Sequence, residues 1–475
     1  MQKCFAMVLL CIFMVLTTFC LAAPLTISKS ITINDSTTFS DEVTVISGAI
    51  ITVNAPLYFK GPTTFPRCRI FSMGDSSVFI RFSTAGTPYI FPQWFGATGV
   101  HDEYGVENQD DFKALQSAIN SASVSGIPLN LGRGIYYTSC SLDVKDTEIY
   151  GSEIAGINLP ARAMFVGRDD FLRNKYGMKS YHALFQDGHG PADWQCHVSG
   201  AVITSMKDIS ILYSNRTPYL HDFGIVGYMG AAQTGLTIHS NSRCRLKDFS
   251  VLAVGGDGIV FTRGLQLSTL ENIRCSFNKG NGMAILHDTT GDCPQEYLNF
   301  SHCTFIFNQF DGLYIDQFRK RITVRNCYFT GNGWYKILGT TPSHPSQIKA
   351  GMHLVSSPPQ KNHPRENLPP HSSDVVFEEN YAEELFALIK IETRNVLNGI
   401  TIRNNCMMPM PIDGQTSYVA LLLGEGSDKY LRSVDISQNC NYGSTNTPQK
   451  QYYSNVGNLI GIKVLDTNDP LQKGD

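Results

Sequence analysis

Three acids fall at the ends of short apolar runs in the second half of the chain: Asp288 closes MAILHD, Asp316 lies in LYIDQFR and Glu392 lies in LIKIETR. Cations crowd the same places, with His287 beside Asp288, Arg319 after Asp316, and Lys390 and Arg394 either side of Glu392. Paired carboxyls among cations can cleave a sugar chain. Hydrolysis with retention uses carboxyls about 5 Å apart, and inversion uses a pair about 6.5 to 9.5 Å apart. Elimination from a uronic acid instead sets a cation against the sugar carboxylate and uses Arg or Lys as base, roles open to Lys390, Arg394 and, more weakly, Arg319. Whether these side chains can meet depends on the elements that carry them.

Each run follows a turn and reads as a short strand, in which alternate side chains face opposite ways. If the residue after the turn glycine points inward, Asp288, Asp316, Lys390, Glu392 and Arg394 share one outer face. Arg263, His287 and Arg319 have the opposite parity but sit at strand ends, where alternation fails as the chain turns. On stacked coils about 4.8 Å apart, Asp288 and Asp316 would be neighbours, with Glu392 about two coils beyond and the Lys336 coil between. The same residues also fit a plain solvated face whose cross-coil ion pairs are worth roughly 0.2 to 1 kcal/mol each. A register slip of one residue would turn them all inward.

The stacking is inferred from a repeat. From Cys244 onward the chain reads CRLKDFSVLAVGGDGIVF, LENIRCSFNKGNGMAIL, LNFSHCTFIFNQFDGLYI, ITVRNCYFTGNGWYKI, VVFEENYAEELFALIKI, ITIRNNCMM and VDISQNCNY. Units of roughly 24 to 30 residues, strand-rich and with no helical period between strands, exclude βαβ units and are shorter than propeller blades of about 40. They predict an all-β, right-handed parallel β-helix. The pairs Asp257-Gly258, Asn281-Gly282, Asp311-Gly312 and Asn332-Gly333 are expected at one corner where positive φ is tolerated, as turn residues and not catalysts. Cys275, Cys303 and Cys327, each one residue before an x-Phe, are expected to pile in one core column and not to form disulfides.

Ahead of the repeats stands FPQWFGATGVHDEYGVENQDDFKALQSAIN. Asn108 or Asp110 can cap a helix whose Phe112, Leu115, Ile119 and Ala122 make one apolar face, predicting a helix over about 109–123. An amphipathic helix laid across the first coil would cover its open edge and exposed core. DDFKALQSAIN followed by GIPLNLGRGIYYTSCSLDV resembles the entry segment of the pectate-lyase-superfamily domain of rhamnogalacturonase and epimerase-like proteins and many phage tailspikes. FPQWFGATG is similar to the hinge leading into that domain in exported bacterial members. The resemblance covers Phe91 to Val144 and implies the β-helix fold. With it comes an expectation of a carbohydrate-active protein cleaving an acidic or substituted polysaccharide by hydrolysis or β-elimination, with a non-catalytic polysaccharide-binding, adhesin or structural β-helix as the alternative.

The rest of the chain divides around that domain. Residues 1–23 have one Lys, an apolar run and small residues before Pro24, the layout of a secretory signal. An uncleaved anchor is the alternative, since Phe5 to Ala23 is about long enough to span a bilayer. Residues 24–90 read as a small β extension, 91–465 as the β-helix and 466–475 as a tail. Insertions are expected at about 165–200 and 339–374. The first holds FQDGHGPADWQCH, whose Gly-His-Gly is similar to a tripeptide of polygalacturonase-like hydrolases but precedes the clear coils. Asp187, His189 and Trp194 are therefore candidate sugar contacts, with His287 and Lys390. The second is proline-rich, and its His344, His353, His363 and His371 match no zinc spacing, so no metal or other cofactor is expected and nothing indicates calcium. A net charge of -3 and 42% hydrophobic residues describe a globular chain with no long-range pull on nucleic acid or anionic lipid. The expected partner is polysaccharide, the location secreted, periplasmic or cell-surface, and the state monomeric by default, with a trimer open.

Overall fold

The structure is a computed structural model. It describes residues 24–74, 78–99, 110–151, 157–159, 196–198, 201–227, 231–239, 243–287, 295–333, 347–356, 371–385, 387–394, 396–409, 411–412, 415–416, 419–423, 431–437, 439–441, 452–453 and 462–465. The leader, Asp187, His189, Trp194 and Asp288 lie outside these residues.

Among them the chain winds as a parallel β-helix. One coil runs through Gln295–Ser301, Thr304–Ile306 and Leu313–Asp316 before Phe318–Arg325 opens the next. The third strand of each coil joins a flat ten-stranded sheet, and the first two join an eighteen-stranded sheet that bends between them. Three walls enclose the core. Inward positions are apolar and repeat vertically: Leu212, Leu236, Ile259, Met283, Leu313, Met352 and Ile389 are register partners down the flat sheet. All seven are fully buried, and burial of each contributes about 1.5–3 kcal/mol.

Residues 24–90 are a second, smaller solenoid. Three three-stranded parallel sheets, such as Leu25–Ile27 with Val43–Val45 and Thr63–Thr64, enclose a core joined to the main one. The helix, α1, spans Phe112–Ser125 and ends at Gly126, whose φ of 65° closes it. It lies between the stacks: Phe82 N–H donates to Ser125 Oγ at 2.9 Å on one side. On the other, Gln116 Nε2 donates to the Asp143 carbonyl at 3.1 Å while Asp143 N–H donates to Gln116 Oε1 at 2.9 Å. The Gln116 amide thus pairs with the first edge strand of the flat sheet, Leu142–Asp143, as a neighbouring strand would.

The corners correct three expectations. Cys303 and Cys327 do stack, with Cys303 N–H donating to Cys327 Sγ at 3.3 Å. Cys275 does not join them: it pairs with Phe305, two positions farther along the strand. A bulge at Asn272, φ 51°, matches the one at His302, so Ile273 takes the cysteine place on that coil. The cysteine column continues as Asn380, Asn405 and Asn439, whose buried amides bond each other at 3.0 and 2.9 Å. Cysteine is simply the residue that fills two rungs of this column.

Of the four Asx-Gly pairs, three share a corner: Asn281 N–H donates to Asp257 Oδ1 at 2.6 Å and Asp311 N–H to Asn281 Oδ1 at 3.1 Å. Asn332 belongs to a different column, Asn278–Asn308–Asn332, a second amide ladder with 2.9 Å steps. Gly258, Gly282 and Gly312 have no positive φ; they are needed because a Cβ on each would meet the next coil's carbonyl at 2.4, 2.5 and 2.7 Å.

Finally, 339–374 is not one insertion. Ala350–Ser356 within it is a full strand of the flat sheet, pairing Leu313–Asp316 on one side and Ala387–Thr393 on the other.

Candidate active site

The outer face of the flat sheet brings four of the predicted residues together: Asp316, Lys390, Glu392 and Arg394. Along Leu313–Asp316, Ala350–Ser356 and Ala387–Thr393, one outward row is Tyr314, His353 and Lys390, and the next is Asp316, Val355 and Glu392. Between them run the inward Ile315, Leu354 and Ile391, all fully buried. The expected parity therefore sets Asp316, Lys390 and Glu392 on one face, and exposed Arg394 follows Glu392 at the same parity. The strand between the acids differs from expectation: it carries His353 and Val355, whereas Lys336 lies outside the described residues.

His353 is the hub. Its Nδ1 lies 3.0 Å from Asp311 Oδ2 and its Nε2 3.6 Å from Glu392 Oε1. Asp311 also accepts the Ala350 N–H at 2.6 Å, which fixes the acid at the corner below the histidine. The Tyr314 ring packs edge-on against the imidazole, centroids 5.2 Å apart. Lys390 Nζ, on a side chain 3% exposed, lies 2.8 Å from Glu392 Oε1, on one 42% exposed.

This surround drives the two acids apart. Burial raises Asp316 above its usual value, against the pull of His287, whose backbone N–H bonds the carboxyl, and of His353. Glu392 is held down at about 2 by the nearby His353 imidazole and by its ion pair with Lys390, against partial burial. His353 is carried above 6.5 by Asp311 and Glu392 although burial alone would lower it. Tyr314 is pushed up to about 12 by burial and by Asp316, Glu392 and Asp311. Two acids whose titration is driven in opposite directions thus flank the small apolar floor of Val355, two strand spacings apart, about 9.6 Å between backbones.

Other predicted residues fall elsewhere. Arg319 lies past the corner on Phe318–Arg325, in the bent sheet, and so leaves the face. His287 sits just beyond Met283–Ile285, beside Asp316. Asp288, and with it the adjacent-coil pair, lies outside the described residues, as do Asp187, His189 and Trp194. Asp311, Tyr314 and His353 were not anticipated. Asp311 reads as a turn residue, and His353 hides among prolines, yet Gly351-Met-His-Leu repeats the word Gly312-Leu-Tyr-Ile. Among the described residues no group of three or more His, Cys, Asp or Glu is placed to hold a metal, and no helix is long and apolar enough to cross a membrane.

Residues 192–368 match the family described as a right-handed beta helix region, and the chain is a right-handed parallel β-helix. No curated protein matches it. Among solved structures it is similar to the enzymatically active domain of bacteriophage CBA120 tailspike protein 2, at 12% identity and TM-score 0.44 over 75% of this chain and 43% of that one. It is also similar to the A-module of an Azotobacter vinelandii mannuronan C-5 epimerase, at 12% identity and TM-score 0.38 over 80% and 98%. A Yersinia enterocolitica family 28 exopolygalacturonase gives 10% identity and TM-score 0.34 over 80% and 78%. The chain spans under two thirds of the tailspike domain and 58% of a Geobacillus virus E2 protein.

Proposed function

We propose that this is an exported carbohydrate-active protein that hydrolyses glycosidic bonds of a polysaccharide on the outer face of the flat sheet. The observation that carries this reading is the pair Asp316 and Glu392, on one face, with titration behaviour driven in opposite directions. Two carboxyls so separated divide acid from base. Asp316, whose proton burial helps to retain, is the general acid and donates to the glycosidic oxygen as the bond from it to the anomeric carbon breaks. Glu392, ionised beside Lys390 and His353, takes a proton from the water whose oxygen forms the new bond. Strands two apart suit the wider spacing, so the product is inverted. Tyr314 and Val355 supply the surface against which a sugar ring would lie, and Arg394 is a cation within reach of a substituent.

Hydrolysis is favoured over elimination because Lys390 is buried and engaged by Glu392, which leaves Arg394 alone among the predicted cations of this face to act both as base and as partner of the sugar carboxylate. A base or a uronate-binding cation must reach the substrate. The resemblance over Phe91 to Val144 supports the carbohydrate class; export rests on the leader.

The test is incubation with a panel of acidic and substituted polysaccharides, following reducing ends together with the ultraviolet absorbance of unsaturated uronates. Reducing ends without that absorbance are expected, with Asp316→Asn and Glu392→Gln each slower by about 10²–10⁴-fold. Absorbance that grows with reducing ends would replace hydrolysis by elimination. Silence in both channels across the panel, with binding retained, would leave the non-catalytic polysaccharide-binding alternative.

A further inference from the structure

A second feature stands on the other sheet. Down the outer side of the bent sheet runs a column of bulges in which Leu267, Tyr297, Arg321, Asp374, Gly399 and Ser433 occupy one position on successive coils. The register skips each of them in turn. Every one has positive φ, from 40° at Arg321 to 74° at Gly399. Glycine adopts that backbone freely, whereas Leu, Tyr and Arg are strained in it. The other bulge column of this sheet, Asp222, Asp248, Asn272, His302, Asn326, Glu379 and Asn404, has the same positive φ but is built mostly of Asp and Asn, which adopt it readily. It is therefore the Leu, Tyr and Arg here that call for a use of the side chains. That use is not packing: Leu267 is 55% and Tyr297 46% exposed. Nor is it pairing, since Arg321 is exposed and has no ion pair with a described residue.

Beside the column the wall is hollowed into a shallow depression lined by Tyr297, Leu298, Asn299, Arg321, Thr323 and Arg325. Asn299 and Thr323 are register partners on its floor. Arg325 is held in place by Glu378, which also binds Arg403 Nε at 2.7 Å. Lys320, Arg321, Arg325 and Arg403 stand among Glu296, Asp374, Glu378, Glu379 and Asp435, so the depression is marked by where Arg321 and Arg325 sit on its rim and not by an excess of positive charge.

We infer that this depression is a binding site for an acidic saccharide, separate from the hydrolytic centre. The Tyr297 ring offers an apolar face to the C–H side of a sugar. The Arg321 guanidinium matches a carboxylate or sulfate with two parallel hydrogen bonds, Arg325, anchored by Glu378, presents its remaining N–H groups beside it, and Asn299 and Thr323 meet hydroxyls. Nucleic acid, the other partner for aromatic and basic residues together, is disfavoured by the chain's net charge of -3. The site would hold an acidic chain against one wall whether or not the flat sheet cleaves it.

Calorimetry of the full chain with oligogalacturonate, against a neutral dextran oligomer, tests this. Tyr297→Gly/Arg321→Gly removes the side chains and relaxes the backbone, so its melting temperature should hold or rise while affinity for the uronate falls at least tenfold. Lys29→Ala, an exposed cation on the N-terminal solenoid, should bind as the parent does. Binding that is undetectable in the parent, equal for dextran, or unchanged in the double variant would overturn the site. A melting temperature that drops in the double variant would also overturn it, because the side chains would then be structural.

Discussion

Replacing Glu392 by Gln removes the one charge that both Lys390 and His353 address, and its effect on stability can be worked out. Lowering the carboxyl from 4.5 to about 2 would be worth about 3.4 kcal/mol unscreened, at 1.36 kcal/mol per unit. The side chain is 42% exposed, so solvent screening reduces this to about 1–1.5 kcal/mol. Because the folded value lies below the unfolded one, the contribution is present in full above pH 4.5 and is lost as pH falls towards 2. Urea denaturation of parent and Glu392→Gln, followed by circular dichroism from pH 7 down to pH 2, should show the parent more stable by that amount at neutral pH. The gap should narrow below pH 4.5 and close near pH 2, where the protonated acid resembles the amide. Equal midpoints at pH 7, or a constant gap across the range, would refute the ion-pair reasoning.

Two further outcomes follow from the same geometry. Cys327→Asn should hold or raise the melting temperature, since an amide there would accept from Cys303 N–H and donate to Asn380, extending the ladder that Asn405 and Asn439 continue; a clear loss would mean the columns are misaligned. Asn308→Ala should destabilise by about 2–4 kcal/mol in chemical denaturation, because all four hydrogen-bonding positions of its buried amide are used, by Asn278, Cys275 and Asn332.

The fold was legible because its signals are local and repeated. Strand alternation and turn chemistry recur at each coil, and any of several coils carries the same message. Register within the repeat was harder. Aligning coils on cysteine misplaced Cys275, because the bulge at Asn272 is invisible in a sequence where Asn also serves in turns and ladders. Alternation set Asp316, Lys390 and Glu392 on one face, since parity survives a wrong rung. The intervening strand did not follow from parity. Proline-rich flanks masked Ala350–Ser356, and with it the His353 that joins Asp311 to Glu392. Asp311 shows a further limit: the same side chain completes a corner through the Ala350 N–H and faces a histidine, and only the three-dimensional neighbour distinguishes the second role.

Proton magnetic resonance of the first sugar product formed from a cleaved polysaccharide tests the two-carboxyl account most directly. An acid and a base separated by the Val355 strand predict an inverted anomeric configuration, abolished in Asp316→Asn. A retained configuration, or product formed at the parental rate by Asp316→Asn, would contradict it.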